Sequence, residues 1–177
     1  WHREERTVVA VLHDIDMARD LGLAGVVFGA LTDEGALDSH VLQRLSRHAA
    51  GLDLTLHRAF DCCGPDFDRA VDTAIELGFD RVLTSGGENT ALEGLAALER
   101  IFAKAGTRIT IMPGSGVSAD NVSTIATRLP VREIHASCST AFPVSAAAEN
   151  RLGFATEHAR QTDAVKVRAL KAALAAV

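Results

Sequence analysis

Residues 81–116 read RVLTSGGENTALEGLAALERIFAKAGTRITIMPGSG, and the fold follows from how that stretch is punctuated. Two short apolar, β-branched runs, Arg81-Val-Leu-Thr-Ser85 and Arg108-Ile-Thr-Ile-Met112, enclose a helical stretch from about Ala91 to Ala105 that Gly106 closes. Gly86-Gly87 breaks the first strand, and Pro113-Gly-Ser-Gly116 forms a loop after the second. Strand, helix and strand in that order make a β/α unit, the building block of a parallel sheet.

The same punctuation repeats on both sides. Upstream, the spacing predicts a helix from Glu4 to Leu21, with Val8, Val11, Leu12, Ile15, Ala18 and Leu21 on one face and Gly22 as its stop. A strand buried on both faces follows over Ala24 to Leu31, then a helix capped by Asp38 that carries Leu42, Leu45 and Ala49. Leu52 to Phe60 reads as the next strand, and Asp66 to Leu77 as a helix ended by Gly78. Downstream, Ser118 or Asp120 caps a helix to about Arg128, and Arg132-Glu-Ile-His-Ala-Ser137 reads as a fifth strand. Residues 139–156 read as a long irregular loop before a final helix from about Asp163 to Ala176.

Strand centres near residues 27, 56, 83, 111 and 135 recur every 24 to 29 residues, the length of one unit in a barrel. The expectation is an α/β fold: a single domain over residues 1–177 forming an incomplete TIM (β/α)8-type barrel of about five β/α units. A five-stranded flavodoxin-like sheet is the alternative.

Composition narrows the function classes. The 177 residues are 47% hydrophobic and 23% charged with a net charge of -5, so Lys and Arg are outnumbered by acids and a nucleic-acid partner is not expected. No apolar run approaches the ~20 residues that cross a bilayer, so no membrane partner is expected either. Three cysteines, Cys62, Cys63 and Cys138, make no disulfide framework and read as reduced thiols of a cytoplasmic protein.

In parallel β/α folds, chemistry collects at the carboxy ends of the strands. His57, Arg58 and Asp61 lie at one such end and His135 at another, which makes these four the candidate catalytic residues. Neighbours on a strand face opposite sides, so only one of His57 and Arg58 enters the barrel. An inward Arg58 needs an anion, either Asp61 in a purely structural pair or a bound carboxylate or phosphate. His57 is a proton-transfer group, a metal ligand or a histidine satisfied in the layer behind. Gly114, Ser115 and Gly116, between a strand and a helix, could cradle an oxyanion with backbone N–H groups, with Gly86 and Ser137 completing the set; a plain tight turn is the alternative. Cys138 with His135, and Cys63, offer soft ligands suited to Cu(I) or zinc, although a lone buried cysteine is more often a small apolar side chain. The only lysines, Lys104, Lys166 and Lys171, fall in helices, so no strand supplies an amine for Schiff-base chemistry.

Gly25-Val-Val-Phe-Gly29, Leu56-His-Arg-Ala-Phe-Asp61, Arg81-Val-Leu-Thr-Ser-Gly86, Ile109-Thr-Ile-Met-Pro-Gly114 and Glu133-Ile-His-Ala-Ser137 together resemble the successive strand motifs of the CutC family. The resemblance implies a cytoplasmic TIM barrel associated with copper homeostasis, whose first three strands are absent here. Those strands hold the cysteines the family has been proposed to use for copper. Cys63 falls where some relatives carry a cysteine, whereas Cys138 and Ser115 stand where the family pattern implies a small non-thiol residue and a glycine.

Two functions follow as expectations. One is copper homeostasis with copper ion as the cofactor or partner, held by Cys63 and Cys138 with help from His57 and His135. The other is a barrel lyase or isomerase acting on a small-molecule anion. Five units cannot close a barrel, so a homo-oligomer, most simply a dimer pairing across the open edge, is expected as well.

Overall fold

In the computed structural model, which describes residues 5–64, 66–143 and 158–177, the strands of the central sheet run parallel and in chain order. They are β1 (Gly25–Phe28), β2 (Asp53–Leu56), β3 (Arg81–Thr84) and β4 (Thr110–Pro113). Helix α1 (Glu5–Asp20) precedes β1; α2 (Ser39–His48), α3 (Phe67–Glu76) and α4 (Leu95–Ala105) connect the strands, and α5 (Val122–Arg128) follows β4. Each strand lies beside its successor, and right-handed crossovers then put every connecting helix on the same side of the sheet. A doubly wound sheet reverses its strand order at a switch point, and no reversal occurs here, so the flavodoxin-like alternative is set aside.

Local chemistry explains the helix boundaries. The Asp38 carboxylate accepts the Val41 N–H at 3.1 Å and starts α2. Gly78 sits at φ +79°, a left-handed conformation that lets the chain leave α3. The core has two parts. Leu56, Phe60, Val71 and Val82 are fully buried between the sheet and α1 to α4, while Leu98, Val122 and Ile125 join Leu170 beneath α4 and α5. Each such side chain contributes ~1.5–3 kcal/mol by leaving water.

Several expectations are corrected. The run Ala24 to Leu31 forms only the four residues of β1, and Val27 is 62% exposed, so this strand is not buried on both faces. Among the described residues β1 pairs with β2 alone. The strand predicted over Leu52 to Phe60 ends at Leu56, and Arg58–Cys63 is a 3-10 turn. Helix α5 begins after Asn121, whose Oδ1 accepts the Ser118 N–H at 2.9 Å, so neither Ser118 nor Asp120 is the cap residue.

The predicted fifth strand does not form. Residues 132–137 approach β4 through one backbone bond, from His135 N–H to the Pro113 carbonyl at 3.0 Å. In a parallel pair a residue directs its N–H and C=O to the same neighbour, and Pro113, having no N–H, cannot return the second bond. A side-chain tie replaces it: Arg81 Nε donates to Glu133 Oε2 at 2.7 Å. That bond, more than the other nearby acids, raises the Arg81 pKa above the ordinary guanidinium value. The irregular loop predicted over 139–156 is also revised, because Ser139–Pro143 forms β5 and pairs antiparallel with β6 (His158–Thr162), Ser139 opposite Thr162. Residues 144–156 lie outside the described residues. The final helix α6 (Ala164–Ala175) starts at Asp163, whose carboxylate accepts the Val165 N–H at 2.7 Å.

Candidate functional site

The 3-10 turn after β2 organises one half of the rim. His57 opens it by accepting the Ala59 N–H at Nδ1, 3.1 Å. Residues three apart eclipse in a 3-10 helix, so Arg58 and Asp61 share a face and pair at 2.6 Å. Asp61, only 8% exposed, also accepts from the Thr84 hydroxyl at 2.5 Å, the Ser85 N–H at 3.1 Å and the Gly87 N–H at 3.1 Å. Arg58 Nη2 extends the network to Ser85 Oγ at 2.7 Å and the Glu88 carbonyl at 3.1 Å. Of the two partners foreseen for Arg58, the structure supplies Asp61. The carboxylate is occupied by donors that stitch β2 to the loop after β3, an arrangement that fixes that loop.

Gly86 belongs to that loop. Its φ of +75° suits glycine, its N–H donates to Thr84 Oγ1 at 2.9 Å, and a Cβ there would lie 2.6 Å from the Gly94 carbonyl oxygen. The loop continues towards the next strand end, where Ser115 Oγ donates to the Asn89 carbonyl at 2.7 Å and the Ala91 N–H to the Ser115 carbonyl at 3.0 Å. Arg58, Asp61, Gly86 and Ser115 are therefore joined along one rim.

His57 turns away from them. Its ring packs on Gly29, where a Cβ would lie 2.5 Å from Cε1. Burial lowers its pKa below the ordinary imidazole value, so it is held neutral. It lines an apolar cavity of about 380 Å³ between α1, α2 and β1, with Val8, Ile15, Phe28 and Leu45 among the walls. The structure does not bring His57 into a common cavity with His135.

A second cavity, of about 600 Å³, gathers Ser115, Gly116, His135, Ser137 and Cys138 with Ser118, Asp120, Ser139, Arg160 and Lys166. Its position follows from the proline-limited approach of residues 132–137 to β4 and from the β5–β6 hairpin. Gly114 lies behind it; its N–H is already given to the Thr84 carbonyl at 2.9 Å, and a Cβ would meet Leu83 Cδ1 at 2.5 Å and His135 Cβ at 3.2 Å. Gly114 thus lets His135 pack close, and its amide is not offered to a ligand. Ser115 at φ +80° and Cys138 at φ +46° hold the left-handed conformation without being glycines, a strain that concentrates at sites of function.

Arg160 and Lys166 were not singled out from sequence as site residues. The signal available was weak: Lys166 three places after a helix-capping Asp163, and Arg160 in an alternating run too short to read as a strand.

A copper centre can be tested on the donors present. Cys63 lines a separate cavity of about 50 Å³ beside Leu37 and Ala70, away from Cys138. Burial, reinforced by the neighbouring Cys62, pushes its pKa up to about 11, so it is a thiol at neutral pH rather than the thiolate a soft metal needs. Among the described residues no three His, Cys, Asp or Glu side chains come together to hold an ion. Among the described residues these donors do not make a copper centre of three or more ligands.

No helix among the described residues is long and apolar enough to cross a membrane. The chain matches the CutC family over residues 2–140. A CutC family protein of Sinorhizobium medicae (strain WSM419) is 51% identical over 164 residues, covering 93% of this chain and 66% of that protein. One from Agrobacterium fabrum is 49% identical over 166 residues, covering 92% of this chain and 65% of that protein. The chain thus spans about two thirds of the length of these curated relatives. Among solved structures, a candidate copper homeostasis protein CutC from Streptococcus agalactiae superposes with a TM-score of 0.71 at 30% identity, covering 75% of this chain and 64% of that one. A structure described as native KDPGal superposes at 0.57 with 13% identity, covering 93% of this chain and 65% of its own, and shares the fold alone. With parallel β/α units in unbroken order, a match over most of its length and relatives at half identity, this chain belongs to the CutC family.

Proposed function

We propose that the protein is part of a cytoplasmic TIM-type barrel whose carboxy-terminal rim binds a small anionic metabolite, as an enzyme of the lyase or isomerase class. The observation that carries this is the second cavity, in which His135 and a row of serines share a space of about 600 Å³ with two cations, Arg160 and Lys166. That size suits a small molecule. The cations orient the anion, and His135 is the imidazole placed to move a proton on the bound molecule. The three free cysteines suit a reducing compartment. Thermal unfolding with a panel of phosphorylated and carboxylated metabolites tests the reading. A ligand present at a hundred times its Kd adds about 2.7 kcal/mol of stability, which raises Tm by several degrees. A panel that leaves Tm unchanged rules the proposal out.

Copper homeostasis, the role in the description of the Streptococcus relative, is the second reading, with Cu(I) as cargo. His135 and Cys138 favour it by lining the same cavity. Cu(I) titration should then show binding that Cys138→Ser removes and Cys63→Ser leaves in place; equal binding by wild type and Cys138→Ser would exclude this cavity. A homodimer pairing along β1, where Val27 is 62% exposed, belongs to either reading. Light scattering that returns a monomer mass at every concentration would discard it.

A further inference from the structure

The cations of the second cavity indicate which chemical group it takes. Arg160 projects from β6 and Lys166 from the first turn of α6, and both reach one residue of β5. Arg160 Nε donates to Ser139 Oγ at 2.9 Å and its Nη2 to the Ser139 carbonyl at 3.3 Å, while Lys166 Nζ donates to the same carbonyl at 2.9 Å. The Ser137 hydroxyl lies 3.1 Å from that of Ser139. Two positive charges thus converge on one neutral acceptor.

Neither cation forms an ion pair among the described residues. Asp163, the acid nearest to Lys166 in sequence, is engaged elsewhere: it accepts the Val165 N–H at 2.7 Å and the Thr140 hydroxyl at 3.1 Å. The Val165 bond is the main reason its carboxyl lies below the usual range, Lys166 being a lesser one. Asp120 also lines the cavity, but it makes no ion pair with either cation. A peptide carbonyl does not cancel two charges, whereas an anion seated between them would remove their repulsion and gain charge-assisted hydrogen bonds.

We infer that Arg160, Lys166 and the hydroxyls of Ser137 and Ser139 form a subsite for the phosphate group of a phosphorylated small molecule. This rests on the reading of the cavity as an anion site and specifies its ligand. A phosphate ester carries about -1.5 to -2 charges at neutral pH with three strong acceptor oxygens, matching two cations and two hydroxyls; a carboxylate would leave about one charge unanswered. The guanidinium supplies a planar fork and the ammonium a compact point charge. His135, Ser118 and Asp120 remain along the rest of the cavity for the body of the molecule.

Calorimetric titration with inorganic phosphate, and separately with acetate, tests the subsite in the whole chain. Wild type should bind phosphate more tightly than acetate. Arg160→Gln/Lys166→Gln should bind phosphate at least about tenfold more weakly, and Arg160→Lys/Lys166→Arg, which keeps both charges, within a few-fold of wild type. Circular dichroism of each variant separates lost binding from lost folding. Unchanged phosphate affinity in the glutamine variant, or no phosphate binding by wild type, overturns the inference. If carboxylated metabolites bind while phosphate does not, the subsite fails and the anion reading stands; if no anion binds, both fall.

Discussion

The rim of this protein has two halves that look alike in sequence and differ in how their polar groups are answered. At the ends of β2 and β3, Asp61 is 8% exposed and meets Arg58, Thr84, Ser85 and Gly87, so its lone pairs are taken. Beyond β4, Arg160 and Lys166 stand exposed with a backbone carbonyl as their common acceptor. A buried network with every partner present rigidifies a loop, whereas the two cations, which form no ion pair among the described residues, keep their charge open to solvent and to the cavity. The candidate residues of the first half, Arg58 and Asp61, are tied into a network that holds a loop, while those of the second, His135, Ser137 and Cys138, line a cavity with Arg160 and Lys166.

Breaking the first half should cost most. Asp61→Ala leaves the Ser85 and Gly87 N–H groups and the Thr84 hydroxyl unanswered and Arg58 without its partner, which should lower stability by about 3 kcal/mol in urea unfolding. A loss below about 1 kcal/mol would mean that the network is not the scaffold described. Gly94→Ala acts on the same loop, since a Cβ at Gly94 would collide with the Ser85 carbonyl. The expected cost is about 1–3 kcal/mol, because backbone must move to make room.

A smaller effect is expected from His57. Its folded pKa is lowered by burial, so below the ordinary imidazole pKa the unfolded chain binds the proton more readily than the folded one. Stability should therefore fall as pH drops below about 6.5, and be unaffected by this group above it. The slope of unfolding free energy between pH 7 and pH 5 should be shallower in His57→Gln; an identical slope would show that His57 is not held neutral. The smallest stability change belongs to the second half, where Arg160→Gln/Lys166→Gln should shift unfolding by less than about 0.5 kcal/mol. A loss as large as that of Asp61→Ala would erase the contrast between the two halves.

Much of the fold could be read along the chain because each element announces itself locally. The helical spacing of Val8, Ile15 and Ala18, the cap at Asp38 and the stop at Gly78 depend on neighbours a few residues away, and all appear where expected. The candidate site was legible only in part. His135, Ser115, Gly116, Ser137 and Cys138 do share a cavity, but His57 faces another and Arg58 is tied to Asp61. The strand reading of Leu52 to Phe60 missed the 3-10 turn, which depends on Arg58 and Asp61 finding Ser85 and Thr84 more than twenty residues away.

The sequence by itself determined the alternation of strands and helices, because hydrophobic period and terminal residues set which face of each element leaves water. Only the tertiary structure decided that residues 132–137 would meet β4 through a single bond, that Glu133 would answer Arg81, and that Arg160 and Lys166 would meet beside His135. Those contacts join residues far apart in the chain, and a periodicity that records how one element is buried holds no information about which distant charges the completed packing brings together.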